Sequence, residues 1–335
     1  MSEFDFEAAK KEMGRWYWWG IPTFFRCDWN EDPAASDIAL LGVPHSSGNG
    51  STERDQHLGP RAVRNVSAQY RRSHGRFGIT PWDICRINDA GDVPLPEAMV
   101  NDICVEHIEA YARRFNDAGT RLVSVGGDHG ITGPLLKAVG GAHSRLTGGQ
   151  KVALVHFDAH TDSYRHLPHW LGSRRSAAHW ASYAVEEGHV DAHRSTQIGI
   201  RPNVGTPGSK STSEELGYRV IGMDEIEEIG TKGVIEAVRE RIGDLPVYVT
   251  FDLDSLDPAD APGVSNLEPG YPGIRVGEAM RMLQGLRGLN VVGGDVVCLM
   301  PTKDSPNQVT AMNAMVVMFE LLSLMADYKQ ANGGA

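Results

Sequence analysis

The sequence predicts an α/β fold of three layers, α/β/α, around a mainly parallel sheet, and three observations carry that prediction. Short runs that are apolar at almost every position, such as Val152 to Phe157 and Val247 to Phe251, suit strands covered on both faces. Stretches with apolar residues at helical spacing lie between them. The runs end in glycines, aspartates and histidines, the place where ligands gather in open parallel sheets.

Taken in order, Asp37 to Pro44 reads as a strand leading into a polar loop. Asn101 to Gly119 is a helix with a glycine stop, and Arg121 to Gly130 is a strand running into glycines. Further strands are expected at Lys151 to Asp158, Ser195 to Arg201, Leu245 to Asp254 and Leu289 to Leu299, with helical patterns at Gly233 to Ile242 and Val276 to Leu286. No repeat, low-complexity tract or linker interrupts this alternation. The expectation is a single domain over residues 1–335, in which residues 1–36 form an N-terminal arm for packing or an interface.

Composition narrows the function. Hydrophobic residues at 41% and charged residues at 22% exclude a disordered or fibrous chain. No window approaches the roughly 18 uncharged apolar residues of a membrane span, so no membrane partner is expected. The acidic N-terminus has no apolar stretch of the secretory kind, and four well-separated cysteines lack zinc or disulfide spacing. Both point to a cytoplasmic location. A net charge of −11 argues against nucleic acid and mildly favours a cationic substrate.

The chemistry sits in "KVALVHFDAHTDSY", Lys151 to Tyr164. Asp158, His160 and Asp162 alternate where a strand ends, so they project to one side. Such crowding calls for a cation between them. Two other strand ends supply the same residue types: Asp128 and His129 after "SVGG", and Asp252 and Asp254 in "FDLD". Any one of these aspartates would ordinarily be a cap or turn residue. Together, His129, Asp158, His160, Asp162, Asp252 and Asp254 make two imidazoles and four carboxylates, enough to offset two divalent ions of the Mn, Fe, Co or Ni type. Such a pair activates water as a nucleophile.

"GGDHG", "DAHTD" and "FDLDSLDPADAPG" together resemble the three signatures of the ureohydrolase family, which includes arginase, agmatinase and guanidinobutyrase. The resemblance runs from "LLGVPHSSGNG" to "GGDVVCLMP". It implies the arginase-type α/β/α fold in a trimer or a homo- or hetero-hexamer, and hydrolysis of a guanidino carbon with release of urea. It further implies that His129, Asp158, Asp162 and Asp252 hold one metal ion and Asp158, His160, Asp252 and Asp254 the other. Local stretches such as "YWWGIPTFFRC" and "VVCLMPTKDSPN" look like the branch acting on guanidine, N-methylated guanidines and metformin. That branch implies Ni2+, whereas ligand chemistry alone allows Mn2+ equally.

The resemblance assigns roles to further residues. Asp162 or Asp254 would pass a proton to the leaving nitrogen, and His179, in "SAAHWASY", would deliver a proton or orient the substrate. Cys298 stands where agmatinase-like members carry a guanidinium-binding glutamate, which favours a small substrate and leaves agmatinase or guanidinobutyrase as the alternative. The thiol reads as an apolar wall rather than a nucleophile. Glu268 is a loop candidate for substrate contact. The aromatic cluster Trp16, Tyr17, Trp18, Trp19, Phe24 and Phe25 reads as a core plug or subunit interface, with cation–π closure over a guanidinium as the alternative. Arg54, His57, His166 and His169 are candidates for the site entrance. A non-catalytic subunit would be expected to have lost ligands, and this chain keeps all six.

Overall fold

The computed structural model describes residues 4–14, 16–50, 55–165, 175–202 and 209–333. Eight strands form one sheet: β1 Ile38–Val43, β2 Ile87–Asp92, β3 Arg121–Gly126, β4 Ala153–Phe157, β5 Thr196–Ile200, β6 Arg219–Gly222, β7 Val247–Asp252 and β8 Val291–Val297. Their order across the sheet is β2-β1-β3-β8-β7-β4-β5-β6, and every pairing is parallel. The continuous apolar runs are explained by two cores, one on each face. Ile38 and Leu40 of β1 enter one core, while Ala39, Leu41 and Val43 enter the other.

Ten helices accompany the sheet among the described residues: α1 Phe6–Met13, α2 Gly59–Ser67, α3 Pro81–Ile84, α4 Asn101–Ala118, α5 Thr132–Val139, α6 Trp180–Glu186, α7 Ser209–Leu216, α8 Met223–Ile242, α9 Val276–Gln284 and α10 Val309–Ala331. Helices α2, α8, α9 and α10 supply the first core, and α4, α5 and α6 the second. The three-layer architecture is therefore as the sequence predicts, and the sheet is wholly parallel.

Several elements escape the sequence reading. β2 and β6 are the two edge strands; "INDAGD" is too polar and "RVIG" too short to stand out. The helix expected from Gly233 is the second half of α8, which begins at Met223 and turns sharply where Gly230 adopts φ 64° and ψ 174°. α10 is apolar around its whole circumference, so it has no amphipathic period to read. Its length and hydropathy would suffice for a membrane span, yet its apolar window is 78% buried inside the fold, which makes it a core helix.

The N-terminal aromatic cluster divides. Phe24 and Phe25 are fully buried in the core, whereas Trp16, Tyr17, Trp18 and Trp19 are about half exposed and α1 buries no residue. The arm is fastened at Phe24, whose N–H donates to Asp89 Oδ2 at 2.9 Å. Asp89 in turn takes two hydrogen bonds from Arg64, whose guanidinium lies 4.2 Å from the Phe24 ring centre.

Candidate metal centre

The site is assembled at the carboxyl ends of the central strands. β3 runs into Gly126 and Gly127, and a Cβ on Gly127 would lie 1.5 Å from the His45 carbonyl oxygen. Only glycine lets the loop after β1 pack there. Asp128, buried next to it, accepts hydrogen bonds from Gly48 N (2.8 Å) and Gly130 N (2.9 Å), tying two loops together. His129 is thereby aimed across the strand ends.

His129 Nδ1 lies 2.9 Å from Asp158 Oδ2, 3.0 Å from Asp162 Oδ2 and 3.2 Å from Asp252 Oδ2. This buried nitrogen nevertheless has no hydrogen-bond partner. Its other nitrogen, Nε2, is 2.9 Å from Thr250 Oγ1, and the single Thr250 hydroxyl proton goes to Asp295 Oδ1 at 2.6 Å. Thr250 therefore accepts the Nε2–H, and the Nδ1 lone pair faces three carboxylate oxygens. Four electron-rich atoms converging without a proton between them fit a bound cation.

A second set adjoins the first. His160 Nδ1 is 3.2 Å from Asp158 Oδ1 and 3.1 Å from Asp254 Oδ2, while its Nε2 lies 3.1 Å from Glu268 Oε1. Glu268 takes the Nε2 proton and leaves Nδ1 toward the carboxylates. Asp158 thus presents one oxygen to each set. Asp252 reaches His129 with Oδ2, and its Oδ1 accepts the Asp254 N–H at 2.9 Å. The six residues picked out by spacing are brought together, and the donor types suit two divalent ions.

The electrostatics say the same. Burial would lower His129, but the surrounding Asp158, Asp162 and Asp252 carboxylates hold it well above the ordinary imidazole value. Burial likewise opposes the charged form of His160, and Asp254, Asp158 and Glu268 raise it well above that value. Burial and the neighbouring Asp252 push Asp254 well above the carboxylate range, and burial with Asp158 raises Asp162. Burial also opposes the charge on Asp158, but the His129, His156 and His160 imidazoles around it hold it well below the carboxylate range. Without metal, protons must do the neutralising that cations would do.

Asp162 adopts φ 45° and Cys298 φ 68°, left-handed conformations uncommon for side-chain-bearing residues and concentrated at functional sites. Trp180 Nε1 donates to Asp162 Oδ2 at 2.8 Å. Cys298 follows β8, fixed by its N–H to Gly127 O at 2.8 Å. Burial and the Asp252 and Asp254 carboxylates push its thiol well above the ordinary value, so it is a neutral group. His179 precedes α6 with Nδ1 2.6 Å from Ser176 Oγ, and it lines a cavity of about 430 Å³ with Tyr164, Arg175 and Glu187. His57 is exposed, with Nδ1 3.3 Å from Ser46 Oγ. Arg54, His166 and His169 lie outside the described residues.

Sequence reasoning missed His156, fully buried on β4 with Nε2 2.7 Å from Asp158 Oδ2. The strand alternation that flagged Asp158, His160 and Asp162 reaches it two residues earlier. It also missed Thr250 and Asp295, which lie on neighbouring strands opposite each other and show no local motif.

The arginase family profile matches residues 36–323. The chain is 40% identical over 314 residues to guanidinopropionase of Pseudomonas aeruginosa, covering 92% of each chain. It is 35% identical over 314 residues to agmatinase of Photorhabdus laumondii, covering 92% of this chain and 94% of that one. The proclavaminate amidino hydrolase of Streptomyces clavuligerus superposes with a TM-score of 0.84 at 29% identity, over 93% of this chain and 99% of that one. With this fold, this centre and these relatives, the chain belongs to the arginase family and is a ureohydrolase, an enzyme of guanidino C–N bonds with a binuclear divalent metal site.

Proposed function

We propose that the enzyme hydrolyses guanidine or a small N-alkylated guanidine to urea plus ammonia or an amine, with metformin, which would lose dimethylamine and leave guanylurea, as an alternative substrate, in its Ni2+ form, with Mn2+ as the alternative. Cys298 carries this reading. Agmatinase-like chains of the family place a glutamate at the position it resembles, whereas here a buried, neutral thiol follows β8 near Asp252. A wall without charge suits a compact cation and offers nothing to a long polar tail.

His129, Asp158, Asp162 and Asp252 would hold one ion, and Asp158, His160, Asp252 and Asp254 the other. The two ions, when bound, supply a hydroxide-like nucleophile near neutral pH. Asp254 takes the proton of the attacking water and returns it to the leaving nitrogen, with Asp162 as the alternative carrier. His179 orients the substrate, and Glu268 keeps His160 in its metal-facing tautomer while flanking the mouth. Proton transfer by such groups contributes about 100- to 10,000-fold.

The similarity to guanidinopropionase favours a second reading, a guanidino acid substrate. Release of urea, or of dimethylamine where metformin is the substrate, from the nickel- and manganese-loaded enzyme separates the two. The substrates to offer are guanidine, 1,1-dimethylguanidine, metformin, agmatine, 3-guanidinopropionate and 4-guanidinobutyrate. Turnover of the first three supports our reading, and preference for any of the last three overturns it. The exposed arm aromatics fit a trimer or hexamer, with a homo- or hetero-oligomeric make-up; light scattering on the purified enzyme tests the size.

A further inference from the structure

His156 sits close enough to His129, Asp158 and Asp162 to be a metal ligand by proximity alone. Its hydrogen bonds argue otherwise. Gln197 Nε2 lies 2.6 Å from the Thr161 carbonyl oxygen and 3.1 Å from His156 Nδ1, while Gln197 Oε1 accepts the Ser213 hydroxyl at 2.7 Å. The amide cannot be turned over: its oxygen would then face the Thr161 carbonyl at 2.6 Å, acceptor against acceptor. One amide proton goes to Thr161 and the other to His156 Nδ1, so Nδ1 is an acceptor. The imidazole proton is therefore on Nε2 and is donated to Asp158 Oδ2 at 2.7 Å. The ring is also held edge-on to His129 and Trp180, at 5.1 and 4.8 Å between ring centres.

We propose that Gln197, acting through His156, is a positioning relay for the metal centre: it directs a proton at Asp158 Oδ2, fixing the carboxylate that faces both donor sets and keeping His156 from becoming a ligand itself. Asp158 Oδ1 is aimed at the second set by the His160 N–H, which it accepts at 2.6 Å. With His156 on Oδ2, neither oxygen is free to rotate away. The relay needs the neutral amide at 197; a side chain of the same length without the amide leaves Nδ1 with no donor, so the ring is oriented by Asp158 alone. This inference rests on the metal reading of the site.

The test compares the full-length enzyme with His156→Phe, His156→Gln and Gln197→Met. Metal content after dialysis and affinity by chelator competition are measured for Ni2+ and Mn2+, with thermal melting as a folding control. His156→Phe and Gln197→Met are expected to bind about 10- to 100-fold more weakly, the range for lost outer partners of metal ligands. His156→Gln, which returns an N–H near the Nε2 position, is expected to recover most of the affinity. Nitrogen-15 spectra of the metal-free wild type should show His156 protonated on Nε2, and a shifted Nδ1 resonance in Gln197→Met as its hydrogen-bond donor is lost. Wild-type affinity in both weakened variants overturns the relay, as does an Nδ1-protonated His156 in the wild type, a result that stands even if a variant fails to fold. A wild type that takes up no metal instead overturns the metal reading, and the relay with it.

Discussion

Arg201 carries a charge into the core, 1% exposed. Its guanidinium donates to the carbonyls of Gly199 (2.7 Å), Asp254 (3.0 Å), Ser255 (3.1 Å) and Leu256 (2.9 Å), holding the turn that presents Asp254. Lysine has three donors on a point charge and cannot serve this fan of acceptors. Arg201→Lys is expected to cost about 1–3 kcal/mol, read from the urea midpoint, and to weaken metal retention; an unchanged midpoint would show that the carbonyls find other donors. At position 298, Cys298→Glu is expected to keep two metal ions but lose at least about tenfold in urea release from guanidine, roughly 1.4 kcal/mol of transition-state stabilisation. Unaltered turnover would remove Cys298 from substrate selection. At this scale the sequence exposes ligands because they share one strand face at fixed spacing. It hides Arg201, Thr250 and Asp295 because their partners are brought by other strands, at separations with no local signature.

The elements legible in the sequence are those with a pattern: buried central strands and the amphipathic α4 and α9. Edge strands, with a polar or very short run, and the all-apolar α10 were not legible. Where α10 carries charge, the partners explain it. His74 Nδ1 accepts the Phe77 N–H at 3.0 Å, so its Nε2–H is donated to Glu320 Oε2 at 2.9 Å, and Gln284 Nε2 donates to Glu320 Oε1 at 2.8 Å. Glu320→Ala leaves the buried His74 donor and the half-buried Gln284 donor unmet and is expected to cost about 1–3 kcal/mol, measured by chemical denaturation; a loss below about 1 kcal/mol would mean water reaches the pair. The junction of β3 with its loop is less forgiving. In Gly127→Ala the new methyl meets the His45 carbonyl, backbone against backbone, and the variant is expected to be insoluble or to lose more than about 4 kcal/mol, an exceptional value.

Across the molecule, the raised imidazoles couple stability to pH. In the metal-free protein His129 and His160 bind protons more tightly folded than unfolded. Their contribution is complete below about pH 6.5 and is lost as pH rises through their elevated values. Asp254 and Asp162, also raised, act in the same direction from the carboxylate range upward. Asp158, held low, loses its contribution only as pH falls below the ordinary carboxylate value. Calorimetry of chelator-treated enzyme should therefore show a melting temperature that declines above about pH 6.5, and metal loading should reverse the slope because cations replace the protons. A metal-free melting temperature that climbs over that range would contradict the assignment of these groups.

The sheet order also sets a sequence of events in time. β8 is the last strand to be synthesised, and it alone joins β2-β1-β3 to β7-β4-β5-β6. On the ribosome, β4 and β7 can pair as soon as both have emerged, bringing Asp158 and His160 to Asp254. His129, in the turn after β3, is joined to them through β8, which lies between the two halves. A growing chain can therefore bring the His160 donor set together before His129 joins it, and the strand made last is the one that closes the whole set.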